Sequence, residues 1–132
     1  MFKRLMIVGG ILNSLFFLFH IFLGYQIQHL AHAAASHRGL LAAFNVAVAL
    51  FIFFFVYASF LHQKDLLETK LGHAVLGLAS LLYLSRAAEE FILFKFNTRI
   101  FVSCLLVGAI YAGALVIAMR SGRPTAALPL KV

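Results

Sequence analysis

Arg86, Glu89 and Glu90 stand within five residues of one another, inside a run from Gly72 to Phe94 that is otherwise almost entirely apolar. Ionised side chains in such a setting are costly to bury, so they mark either a polar contact that holds helices together or a functional site. On a helix, Arg86 and Glu90 are four apart and share a face, and Glu89 reaches Arg86 from three apart, so an intrahelical ion pair is expected. Ala79 and Tyr83 extend that face, which should point toward neighbouring helices. The chemistry open to the group is anchoring of an anion or carbonyl by the guanidinium, with proton exchange at Glu90. His20 and Asn45 belong to other apolar runs and qualify as partners by depth. Counted at about 1.5 Å per residue from the outer helix ends, His20 lies about 10 Å deep, Asn45 about 8 Å, Arg86 about 12 Å, and Glu90 and Cys104 about 6 Å. Asn13 lies about 10 Å further in than His20, on nearly the same helix face. A pocket in which Arg86, Glu90 and His20 converge, with Asn45 beside them, is one expectation. The other is that these groups only lock helix packing.

The remaining histidines invite metal and haem readings. His29 and His32 are three apart and His37 follows, so a helical stretch would let the first two share a metal, but no Asp, Glu or Cys nearby completes a ligand set. A membrane haem b needs axial ligands on two helices at one level, for which His62 and His73 are the best placed; His20 has no histidine at its own depth. No cofactor is expected, with haem b or a metal ion as the alternative. A single cysteine, Cys104, excludes an intramolecular disulfide and any CxxC motif.

The elements that must position these groups are written in the composition. The 132 residues are 64% hydrophobic, with 15 phenylalanines and four acidic residues, and a mean hydropathy of +1.01. That make-up belongs to an integral membrane protein. Four apolar segments, about Leu5 to Ile27, Leu40 to Leu61, Gly72 to Phe94 and Ile100 to Met119, each approach the ~20 residues that span hydrocarbon. Their short connections predict an all-α, four-helix up-and-down bundle occupying residues 1–120 as one domain. Lys3, Arg4, Lys64, Lys70, Arg120, Arg123 and Lys131 would face one side, against Arg38, Lys95 and Arg99 on the other. The excess places both termini in the cytoplasm. Residues 121–132, with Pro124 and Pro129, read as a flexible tail. Lys3, Arg4 and the Ala31-His32-Ala33 triplet have the look of a secretory signal, but the apolar run exceeds the ~7 to 15 residues of a signal core, and we read it as a retained helix.

The net charge of +7 does not indicate nucleic acid, because the basic residues sit at helix ends rather than on a stripe. Small residues four apart, as in Gly10 and Ser14, Ala43 and Ala47, Ala109 and Gly113, and Ala114 and Ala118, allow close helix contact, within the chain or with a homo-oligomer or larger complex. The segment LGHAVLGLASLLYLSRAAEEFILFKF, with FHIF in the first helix, resembles a group of small bacterial four-helix membrane proteins of unknown function. The resemblance rests on His20, Asn45, Gly72, Arg86 and Glu90. It implies architecture and no activity; a bacterial plasma membrane is the expected location. No residue is assigned a catalytic role. Three functions follow in order: a non-enzymatic accessory or interaction subunit, a small transporter or ligand-binding protein, and a haem- or metal-dependent redox component. Transport would need a polar path to both faces, toward which Val75 to Leu82 offers little in a monomer, so that an oligomer would have to supply it.

Overall fold

The computed structural model describes residues 1–30, 35–92 and 96–121. His32 and residues 122–132 lie outside the described residues. The order of elements is α1 (Phe2–Gln28), α2 (Ala35–Leu61), α3 (Gln63–Glu68), α4 (Lys70–Ile92) and α5 (Thr98–Ser121), with no strand among the described residues. Four of them, α1, α2, α4 and α5, are long and apolar enough to cross a membrane. At 23 to 27 residues they measure about 34 to 40 Å, more than a hydrocarbon core of ~30 Å. Each begins two to five residues before its apolar segment, most of all α2, which begins at Ala35 rather than Leu40, while α4 ends at Ile92 rather than Phe94.

The connection between the second and third apolar segments is itself largely helical, and α3 fills it. Thr69 organises the step from α3 to α4. Its hydroxyl donates to the Asp65 carbonyl at 2.8 Å and accepts the Gly72 N–H at 2.9 Å, so one side chain closes α3 and caps the start of α4. A side chain at Gly72 would strike the Asp65 carbonyl and sit 2.5 Å from the Leu66 Cα. Glycine is what lets the first turn of α4 lie against the backbone of α3.

The chain divides into two compact units, residues 3–63 and residues 64 onward with Met1 and Phe2. In the second unit α4 and α5 form an antiparallel hairpin. Glu90 meets Asn97, Leu84 and Ser80 meet Gly108, and Gly77 meets Leu115. Gly108 is the point of closest approach, since a Cβ there would lie 2.9 Å from Leu84 Cγ, and its carbonyl accepts the Ser80 hydroxyl at 3.1 Å. Buried residues recur every three or four positions: Gly72, Leu76, Ala79, Tyr83, Ala87 and Glu90 on α4, and Cys104, Val107, Tyr111, Ala114 and Ala118 on α5. This is the helical period of one packed face.

In the first unit α1 and α2 also run antiparallel. The Phe60 ring covers Gly10, Phe17 and Phe53 stack at 5.5 Å, and His20 meets Asn45. The phenylalanines of α2 divide between roles, with Phe55 buried and Phe51, Phe53 and Phe54 exposed. Large apolar side chains are exposed on every long helix, among them Phe22, Phe44, Leu81 and Val102. Exposure of that extent suits lipid or protein rather than water.

Candidate functional site

The last turn of α4 carries the charged cluster. Arg86 Nη2 lies 2.6 Å from Glu90 Oε1, and the Glu90 side chain is 2% exposed against 35% for Arg86. Glu89 makes the looser contact, 3.7 Å from Arg86 Nη1 and 43% exposed. Ala79, Tyr83 and Glu90 lie on the buried stripe as their spacing requires, while Arg86 sits at its edge and Ala87 takes the interior position.

The second oxygen of Glu90 has a different task. Oε2 accepts the backbone N–H of Asn97 at 3.1 Å, across the turn into α5. Asn97 in turn caps α5, its Oδ1 accepting the N–H groups of Arg99 at 3.1 Å and Ile100 at 3.4 Å. In a capping box, a Glu or Gln at the third helical position reaches back to the cap N–H. That position here is Ile100, which has no acceptor, and Glu90 supplies the carboxylate from the preceding helix. The negative charge also sits at the positive end of the α5 dipole. One buried carboxylate thus links a guanidinium on α4 to the beginning of α5. The rings of Phe91, Phe96 and Phe101, with centroids 4.8 to 5.6 Å apart, cluster at the same turn.

Sequence reasoning missed Asn97. The signal was present as an asparagine directly before the helical stretch beginning Thr98-Arg99-Ile100, a preferred N-cap.

His20 and Asn45 form a second polar pair, in the first unit. Asn45 Nδ2 donates to the His20 carbonyl at 2.9 Å, and Asn45 Oδ1 lies 2.8 Å from His20 Nδ1. A carbonyl can only accept, so the amide nitrogen is fixed on that side and its oxygen faces the ring. His20 must then carry a proton on Nδ1, and in the neutral ring Nε2 keeps the lone pair. Gly24 leaves room for this arrangement, since a Cβ there would stand 3.0 Å from Asn45 Nδ2. Asn13 is fully buried and donates to Gly9 of its own helix at 3.0 Å. Replacing Asn45 by leucine should lower stability in detergent by about 1 kcal/mol. It should also release the His20 tautomer, so unchanged ring nitrogen NMR shifts in that variant would contradict the pairing.

The other histidines sit apart from these groups along the chain and each has local company. His29 Nδ1 donates to the Tyr25 carbonyl at 2.8 Å with the two rings 4.2 Å apart, and His37 is exposed near the start of α2. His62 Nε2 lies 3.1 Å from the Tyr57 hydroxyl. His73 Nε2 donates to the Leu67 carbonyl at 3.0 Å, tying α4 to α3, and so in the neutral ring only Nδ1 retains a lone pair. Among the described residues no three His, Cys, Asp or Glu side chains gather as a metal site.

The described residues thus form an all-helical structure with four candidate membrane-spanning helices, an Arg86–Glu90 ion pair in one unit and a His20–Asn45 pair in the other. Compared with family models, curated proteins and solved structures, the chain matches none.

Proposed function

We propose that the chain is a small, non-enzymatic integral membrane protein that serves as an accessory or interaction subunit. The observation that carries this reading is the closure of the charged cluster: both oxygens of Glu90 are engaged, one by Arg86 at 2.6 Å and one by the start of α5 at 3.1 Å. Groups bonded in this way stabilise a hairpin and leave little for substrate chemistry. What remains for function is helix surface, and the exposed apolar faces of the four long helices supply it. In this reading the helices cross a bacterial plasma membrane up and down with both termini in the cytoplasm, as seven basic residues against three favour.

A second reading is a small transporter or ligand-binding protein, favoured by the 35% exposure of Arg86 and by the lone pair that Asn45 leaves on His20 Nε2. One preparation separates them. The tagged chain, extracted in mild detergent and examined by native mass spectrometry, should run as a complex of fixed stoichiometry with other membrane chains or copies of itself. That complex should persist when Arg86 and Glu90 are both replaced by methionine. A monomer that takes up or retains a small anion, and loses it in the double variant, would overturn the subunit reading. A haem absorbance band or stoichiometric metal in the wild-type preparation would overturn it in favour of a redox component.

A further inference from the structure

We propose that the Lys3–Arg4 end of the α1–α2 hairpin binds the headgroups of anionic phospholipids. The contact between Gly10 and Phe60 sets which residues share that end. Arg4 and Lys3 lie six and seven residues beyond Gly10, about 9 and 10 Å along the axis, while His62 lies about 3 Å beyond Phe60. Both cations are exposed and belong to the first turn of α1. The exposed Tyr57 ring, whose backbone lies about 4 to 5 Å on the inner side of Phe60, stacks on His62 at 5.0 Å, with its hydroxyl 3.1 Å from Nε2. Tyrosine, apolar in body and polar at its tip, settles at headgroup level. With the Tyr57 hydroxyl and His62 at the inner edge of that level, Arg4 and Lys3 lie about 6 and 7 Å further out, in the phosphate layer.

Charge complementarity then names the partner. Residues 3–63 contain no aspartate or glutamate, so the hairpin holds no carboxylate with which these cations could pair. Within residues 3–63, Lys3 and Arg4 therefore carry the positive charge of this end without any acidic residue to offset it. The far end of the hairpin differs. Its one described cation, Arg38, donates to the Leu30 carbonyl at 3.4 Å.

The test is lipid selectivity of the full chain in phosphatidylcholine vesicles, read by electron paramagnetic resonance with spin-labelled phosphatidylglycerol and spin-labelled phosphatidylcholine. A cation near the surface is worth about fivefold in attraction for anionic lipid. Wild type should therefore prefer the phosphatidylglycerol label by about fivefold or more, less so at high salt. Lys3→Gln with Arg4→Gln should lower the ratio by about fivefold or more, and Arg38→Gln should leave it near the wild-type value. Equal affinity for the two labels in wild type, full preference in the double variant, or an equal loss in Arg38→Gln would overturn the proposal.

Discussion

Replacing Glu90 by glutamine should lower the stability of the protein in detergent by about 3 kcal/mol, the scale on which a buried ion pair resists losing one partner. The shape of the side chain is unchanged, so the loss would come from chemistry alone. Glu90 presents two acceptors, one to Arg86 and one to the Asn97 N–H. Glutamine has one acceptor and one NH2 group, and whichever way it turns, a donor faces a donor. If the amide oxygen stays with Arg86, the start of α5 loses its carboxylate; if it turns to Asn97, the guanidinium loses its 2.6 Å contact. The same exchange at Glu89, 43% exposed and 3.7 Å from Arg86, should change stability by less than about 0.5 kcal/mol. Unfolding of the two variants in one detergent gives the comparison, and equal effects would argue that burial of Glu90 has no energetic consequence.

Gly72→Ala should be nearly as damaging, at about 2 to 3 kcal/mol, for a steric reason. The added methyl would meet backbone on α3, the Asp65 carbonyl and the Leu66 Cα, and backbone cannot swing aside as a side chain can. Either α3 lifts away, exposing Leu66, which is now 3% exposed, or the first turn of α4 unwinds and loses the Thr69 cap. Faster hydrogen exchange confined to α3 and the first turn of α4 would report this. A variant as stable as wild type with unaltered exchange would show that the close approach does not exist. Gly113 provides the control, because a Cβ there meets nothing within 4 Å and the same change should be close to neutral.

The sequence made the four long helices legible because hydropathy and length are both large signals, but most helix ends were displaced, by as many as five residues at the start of α2. Hydropathy marks where hydrocarbon ends, while a helix stops where its hydrogen bonds do. The six residues of α3 were too few to display a period, and nothing in Gln63 to Glu68 separates a short helix from a loop. Spacing alone supplied the Arg86–Glu90 pair, since three or four residues along a helix is a geometric neighbour relation. Counting depth put His20 and Asn45 in one layer, and they bond. Depth could not reveal that Gly24 makes the room, nor that Asn97 takes the second Glu90 oxygen across a turn. Those relations depend on how two helices meet, which no local pattern encodes. The three-residue relation of His29 and His32 includes a position outside the described residues.

Arg86 and Glu90 form a closed structural pair joining α4 to α5, and a double-mutant cycle with Arg86→Met and Glu90→Met, read by unfolding in detergent, tests that pairing most directly. Each single change removes one member of the 2.6 Å contact and leaves the other charge in place, whereas the double change leaves apolar side chains and an Asn97 N–H at a position that is exposed. A closed pair predicts that each single variant loses about 2 to 4 kcal/mol and that the double variant returns to within about 1 kcal/mol of wild type. Additive losses, with a coupling below about 0.5 kcal/mol, would contradict it.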